Sequence, residues 1–261
     1  MLALLRRSPA CKGLHRSRWT LHLLAQHCGA LAGLTSRSGV CRRLSSWKIH
    51  HKRGRPRLWS PDPAYTSKAW RVRRLVQMAR RRTDMVVLFA DEKTFYRQPS
   101  VGRAWAESGS GGHRQPTAPL ACGARLAHRL VGALDARTGQ LTVGSAPKVG
   151  LRVLEQFFRR LRQVYGPSKK LFLIWDNWPV HAHERLQKVA RQERIEVVFL
   201  PTYSPWLNPI EKVWKKLEEE VLRLHRKSRD WEGLKQEVWE FFLPFRTPSR
   251  ELLRYVGLLP H

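Results

Sequence analysis

Acidic residues are what this sequence has least of. Its 261 residues include 20 Asp and Glu against 49 Lys and Arg, giving a formal net charge of +29, and no acid occurs before Asp62. That imbalance exceeds anything solubility requires and points to a polyanionic partner, nucleic acid before membrane. Cysteine is scarce as well. Cys11, Cys28, Cys41 and Cys122 show neither Cys-x-x-Cys pairing nor zinc-finger spacing, which excludes a disulfide framework and fits thiols in a reducing compartment. Long apolar runs are missing: none approaches the roughly 20 residues of a membrane span, and Leu2–Leu5 is too short for a secretory core. No internal repeat is evident. The acid-free first 61 residues superficially resemble an organellar transit peptide, but helical patterning explains the same segment better.

The sequence is organised around residues 170–222. Two apolar runs there, Leu171–Trp175 and Ile195–Leu200, read as strands separated by a helical stretch. The first run closes on Asp176, and the second leads through a Pro-rich turn, Pro201–Pro209, to Glu211 in the first turn of a helix. An apolar strand ending in a carboxylate presents charge at a sheet's carboxyl edge, where ligands gather. Upstream, the apolar run Met85–Ala90 reads as a third buried strand and ends at Asp91. Three carboxylates brought together repel one another, so such a set implies a divalent cation, with hard oxygen ligands suiting Mg²⁺ or Mn²⁺.

Each acid has a plainer reading. Asp176 opens Asp-Asn-Trp-Pro, a turn-forming string, and Asp91 is also read as a solvated strand end. Asn208-Pro209-Ile210-Glu211 matches an N-cap, a Pro at the first helical position and a Glu at the third, so Glu211 suits a capping box as well as a metal. Local spacing does not choose between them.

The strings DEKTFYRQPSVGRAW, LIWDNWPVH and LPTYSPWLNPIEKVW, in this order, resemble the transposases of the insertion sequence 630 family, bacterial relatives of the mariner elements within the Asp-Asp-Glu superfamily. Thirty-four residues separate Asp176 from Glu211, the spacing expected of that family. The resemblance covers about Arg16 to the C-terminus. It implies an α/β fold, a ribonuclease-H-like mixed sheet flanked by helices, preceded by a small all-α helix-turn-helix domain. It also implies Asp91, Asp176 and Glu211 as catalytic metal ligands for Mg²⁺ or Mn²⁺, with two ions, Asp91 the bridge and Glu211 on the second ion. Asn177, His181 and Asn208 match the family's motifs as supporting residues, and Glu92 is a spare ligand. The implied activity is cleavage of element ends and joining of the freed 3′-hydroxyl to target DNA at TA. The expected partners are duplex DNA, both terminal inverted repeats and target, and a second copy in a homodimer on DNA. The expected location is the bacterial cytoplasm, nucleoid-associated.

The front of the chain carries most of the charge. Residues 1–90 hold 20 Lys and Arg against Asp62 and Asp84, a balance of +18, against +11 for residues 91–261. Trp19, Leu21, Leu23, Leu24 and Cys28 suit an amphipathic helix, Gly29–Leu34 a turn, and Thr35 or Ser36 caps a second helix to about Ser45. Two short helices so joined read as helix-turn-helix. The second offers Arg37, Arg42 and Arg43 to a major groove, with Val40 and Leu44 as inward anchors; a generic basic hairpin fits the pattern too. His50–Arg57 then carries Lys52, Arg53, Arg55 and Arg57 around Gly54 and Pro56. It reads as a hook for the narrow minor groove of A·T-rich DNA, or as a linker on phosphates alone. The domains expected are 1–57, helix-turn-helix and hook-like linker; 58–84, a connecting helix; and 85–261, the catalytic domain.

The rest of the chain is read more coarsely. Ala127–Asp135 and Gln140–Ser145 pattern as strands, Leu151–Val164 as a helix, and Ser228–Leu259 as helical with a packing stripe of Trp231, Leu234, Val238, Trp239 and Phe242. Eleven tryptophans are read mainly as packing. Relatives commonly carry a further helix-turn-helix unit upstream, so either a split or truncated frame or a single sufficient unit is expected. A domesticated transposase that binds DNA without cutting is the alternative function, and a non-mobile nuclease of the same fold a second. The intact acidic triad argues against the first, the basic front domain against the second.

Overall fold

The computed structural model describes residues 2–31, 33–34, 36–52, 59–106, 115–123 and 125–260. Two compact units make up the chain, residues 1–57 and 58–261. In the first, helices α1 (Leu2–Leu5), α2 (Leu21–His27) and α3 (Arg37–Ser46) enclose Leu24, Cys28, Leu31, Val40 and Leu44. Ser36 starts α3 by accepting from the Gly39 N–H, and Thr20 does the same for α2 at Leu23, each satisfying an amide that the first helical turn leaves unpaired. Val40 and Leu44 face inward while Arg37, Arg42 and Arg43 are exposed. Thr35, Arg53, Arg55 and Arg57 lie outside the described residues.

In the second unit a mixed sheet has the order β3-β2-β1-β4-β5, with β1 Met85–Tyr96, β2 Ala127–Asp135, β3 Leu141–Ala146, β4 Lys170–Trp175 and β5 Ile195–Phe199. β1 pairs antiparallel with β2 and parallel with β4, which in turn pairs parallel with β5. Its apolar strands are buried on both faces, so consecutive residues enter different cores. Met85, Val87 and Phe89 join the core beneath α4 (Tyr65–Arg81), α7 (Ile210–Leu217), α8 (Trp231–Phe242) and α9 (Arg250–Val256). Val86, Leu88 and Ala90 join the opposite core, against α5 (Leu151–Tyr165) and α6 (Glu184–Gln192). The stripe Leu154, Phe157, Phe158, Leu161 and Tyr165 explains α5: its spacing puts five large side chains on one face, each worth about 1.5–3 kcal/mol when buried.

Three boundaries differ from the sequence reading. β1 does not end at Ala90 but continues to Tyr96, because β2 goes on pairing with it after the parallel pairing with β4 has ended at Phe89 and Ile174. The C-terminal helical stretch is two helices, α8 and α9, separated by a short 3₁₀ turn at Leu243–Arg246, where Pro244 and Pro248 cannot donate to a continuous helix. The segment read as a connecting helix packs within the second unit, with Val72, Leu75 and Ala79 of α4 in the sheet's core. No helix among the described residues is long and apolar enough to cross a membrane.

The start of α4 is pinned to the loop after β5. Asp62 accepts from the Lys68 ammonium at 2.7 Å, the Thr202 N–H at 3.0 Å and the Ala64 N–H at 2.8 Å. Trp206 donates its indole N–H to the Tyr65 hydroxyl at 3.1 Å. These bonds tie residues 60–65 to a loop some 140 positions later.

This packing has two measurable consequences. A Cβ on Gly132 would lie 2.6 Å from Cη2 of Trp214, a buried ring that cannot swing away, so Gly132→Ala should destabilise by about 1–3 kcal/mol in denaturant unfolding; an unchanged midpoint would show that the ring yields. The Asp62 carboxyl is lowered from 3.8 to about 2 by its bonds from Lys68, Thr202 and Ala64. A depressed folded-state pKa stabilises above the unfolded value, and that stabilisation is lost as pH falls through the folded one. The gap in unfolding midpoint between wild type and Asp62→Asn should therefore be full above pH 3.8 and close as pH drops toward about 2; a gap independent of pH would contradict the assignment.

Candidate active site

Asp91, Asp176 and Glu211 line one cavity of about 500 Å³, together with Asn177, Asn208 and the loop from Leu200 to Pro205. The fold brings them there in three ways. Asp91 lies in β1 two residues past the last parallel pair with β4, on the same face as Val87 and Phe89 by the two-residue period of a strand. Asp176 follows the end of β4, and Glu211 stands in the first turn of α7. All three thus meet at the carboxyl edge of the parallel strands.

Two amides brace that edge. Asn177 donates from Nδ2 to the Leu200 carbonyl at 2.6 Å, linking the ends of β4 and β5. Asn208 is buried and donates from Nδ2 to the Ala90 carbonyl at 3.0 Å, linking the start of α7 to the residue before Asp91. This also bears on the capping-box reading. α7 has no side-chain cap hydrogen bond, and the Asn208 N–H is taken by the Pro205 carbonyl rather than by Glu211. The Glu211 side chain is not spent on a cap.

Each carboxylate has a distinct environment. Asp91 accepts from the Trp214 indole N–H at 2.9 Å; Gly132, opposite Asp91 in register, leaves the space that Trp214 fills. Burial, then the charges of Glu211 and Glu92, push the Asp91 carboxyl up to about 8. Glu211 is raised by partial burial and by Asp176, against the opposing pull of Lys93. Asp176 behaves oppositely. Burial acts to raise it, but hydrogen bonds from His181 and the Trp178 N–H win, and it is lowered.

His181 is fully buried and bridges two acids. Its Nδ1 is 2.8 Å from Asp176 Oδ1 and its Nε2 is 2.9 Å from Glu92 Oε1. Burial alone would lower its pKa, yet the bonds to Asp176 and Glu92 outweigh burial and push it up to about 9. His181 is therefore imidazolium at neutral pH and donates from both nitrogens. Its ring stacks on Trp175, with centroids 3.8 Å apart.

The sequence-predicted residues are thus brought together at one end of the sheet: Asp91, Asp176, Glu211, Asn177 and Asn208 on the cavity, and His181 behind Asp176. The three carboxylates line the same cavity, with no hydrogen bond from one to another. Among the described residues no group of three or more His, Cys, Asp or Glu is arranged to hold a metal ion as it stands; like charges repel, and Asp91 and Asp176 have each taken a partner of their own. The donor set nevertheless suits a hard cation. It is all oxygen, and the burial and the neighbouring charges of Glu211 and Glu92 that raise the Asp91 carboxyl are what a bound cation would offset. Sequence reasoning missed Trp214 and Gly132. Gly in a strand interior is itself a sign of close approach, and it was the one local signal available.

Comparison with known proteins agrees with this architecture. The DDE superfamily endonuclease family matches residues 86–235. An uncharacterized 39 kDa protein of insertion element IS630 from Shigella sonnei is 28% identical over 235 residues, which are 89% of this chain and 66% of that protein; the chain spans just under two thirds of this relative's length. The mariner Mos1 paired-end complex with Mg superimposes with a TM-score of 0.65 at 18% identity, covering 92% of this chain and 72% of the other. The Mos1 paired-end complex with the left transposon end gives 0.62 at 18%, covering 99% and 75%. The Mos1 catalytic domain alone gives 0.50 at 15%, covering 79% and 93%. These likenesses establish the ribonuclease-H-like fold. With a family match across more than half its length, strung over the strands and turns that carry Asp91, Asp176 and Glu211, the chain belongs to the DDE superfamily endonucleases.

Proposed function

We propose that this protein is a DNA transposase that cuts at the ends of an insertion sequence and joins the freed 3′-hydroxyl to target DNA. The observation that carries the proposal is the convergence of Asp91, Asp176 and Glu211 on one cavity at the carboxyl edge of the sheet. In the first reaction a water oxygen bonds to phosphorus and the bond to the 3′ oxygen breaks. In the second the oxygen of that 3′-hydroxyl bonds to a target phosphorus while the bond from that phosphorus to the target strand's 3′ oxygen breaks and the leaving oxygen takes a proton, at TA if the chain follows its family. Asp91, Asp176 and Glu211 would hold Mg²⁺ or Mn²⁺, and two such ions activate the attacking oxygen and stabilise charge on the leaving one. Mos1 complexes with Mg and with Mn are known, which supports this choice of cation.

The chain's own groups prepare the site. Trp214 fixes one oxygen of Asp91, His181 and the Trp178 N–H fix one of Asp176, and the Asn177 and Asn208 amides set the strand ends at which these acids sit. DNA binding falls to residues 1–57, with exposed Arg37, Arg42 and Arg43 of α3 toward a major groove and Lys52, Arg53, Arg55 and Arg57 as the hook. Residues 58–84 lead from this part into the catalytic domain, 85–261, and pack through α4 against its sheet. The +18 balance of residues 1–90 supports the division, because neutralising phosphates releases counterions and drives sequence-independent affinity. The partners are the element's terminal inverted repeats and target duplex, engaged by a homodimer in the bacterial cytoplasm, at the nucleoid.

The test is incubation of purified protein with duplex carrying the sequence that flanks its reading frame, with Mg²⁺ or Mn²⁺. Asp176→Asn and Glu211→Gln each remove one ligand charge at nearly constant volume. Both should abolish strand cleavage and keep duplex binding with its steep loss as salt rises, and Glu211→Gln should melt in metal-free buffer near the wild-type temperature. A Glu211→Gln protein that cuts at the wild-type rate would remove Glu211 from the catalytic set, and the same outcome for Asp176→Asn would overturn the reading of the site.

A further inference from the structure

Asp91 and Glu92 are neighbours in β1, and the sequence alone makes Glu92 a spare ligand. The strand does not allow that economy. Because β1 continues through both residues, their side chains point to opposite faces of the sheet. Asp91 points with Val87 and Phe89 toward α7, Glu92 with Val86, Leu88 and Ala90 toward the core containing Trp175. There its Oε1 is 2.9 Å from His181 Nε2. The other ring nitrogen, Nδ1, is 2.8 Å from Asp176 Oδ1. The imidazole is held flat against Trp175 at 3.8 Å and 25°, with Trp178 edge-on at 5.3 Å. It has no room to turn.

Resting on the proposed metal-dependent reaction, we infer that Glu92 is a positioning residue: from the opposite face of the sheet it fixes His181, and through His181 it fixes the Asp176 carboxylate. The Asp176 side chain is 52% exposed and follows the last residue of its strand, so its rotamer is not set by packing. His181 and the Trp178 N–H both take Oδ1, and Oδ2 has no hydrogen-bond partner among the described residues. The chain Glu92–His181–Asp176 therefore orients one oxygen away from the ring and offers the other. Groups that orient a ligand in this way change metal affinity by about 10–100-fold when removed.

The experiment measures Mn²⁺ affinity by titration calorimetry, kcat and KM for DNA cleavage, and metal-free melting for the full chain. Glu92→Ala should weaken Mn²⁺ binding about tenfold and lower kcat with little change in KM for DNA. Glu92→Gln retains an oxygen that accepts from Nε2 and should stay within about threefold of wild type on the same scale. In a His181→Ala background, Glu92→Ala should have no further effect on Mn²⁺ affinity, since coupled residues are not additive. If Glu92→Gln loses Mn²⁺ as completely as Asp176→Asn, Glu92 is a ligand and the inference falls. It falls equally if Glu92→Ala lowers only the metal-free melting temperature and leaves Mn²⁺ affinity and kcat at wild-type values. Wild type and Asp176→Asn separate the two levels of the argument. A wild-type protein that does not bind Mn²⁺ overturns the proposed function, whereas one that binds it, loses it in Asp176→Asn and keeps it in Glu92→Ala overturns the role of Glu92 alone.

Discussion

Carboxylates gathered at one place repel each other, and most of the second unit can be understood as the means by which three of them are held together all the same. The repulsion is visible in Asp91, whose carboxyl is pushed up to about 8 by burial and by the charges of Glu211 and Glu92. The parallel triplet β1-β4-β5 delivers two acids to its carboxyl edge, and the Pro-rich turn after β5 delivers the third. Hydrophobic burial on both faces supplies the rigidity this requires. Without it, each side chain would rotate away from its neighbours, and the edge would be a set of ordinary turns.

The bracing is long-range and uses uncharged donors where a cation would compete for the carboxylates. The Trp214 indole reaches Asp91 only because Gly132 leaves room beneath it. The Asn208 and Asn177 amides reach strand-end carbonyls rather than acids. His181 is the exception, a cation buried between Asp176 and Glu92. By placing its charge behind Asp176 it lowers that carboxyl's proton affinity while Asp91 and Glu211 are raised, so the three acids of the site are not equivalent.

Much of this was legible in the sequence, for reasons that can be named. The runs around Leu173 and Val198 are short, apolar and bounded by polar turns, so they read as buried strands, and the acids at their ends read as a site. Ser36, Val40 and Leu44 announce α3 in the same local way. The continuation of β1 to Tyr96 was not legible, because DEKTFY has no apolar alternation and owes its strand form to β2, whose partner residues begin some 30 positions later. That one boundary decides which way Glu92 points. Nor was the role of Asp62 legible: its partner Thr202 is 140 residues distant, and nothing near Asp62 in the sequence marks it. Whether Glu211 caps its helix or faces the cavity was undecidable from spacing, and the turn of Asn208 onto Ala90 is what resolves it.

The central claim is that Asp91, Asp176 and Glu211 act together on a divalent cation. Anomalous scattering from crystals of the protein grown with Mn²⁺ tests it most directly. The account predicts Mn²⁺ peaks in the cavity, within coordination distance of carboxylate oxygens from all three residues, with Glu92 still on His181 and outside the coordination sphere. Mn²⁺ bound elsewhere, or in the cavity without Asp91 and Glu211, would contradict it.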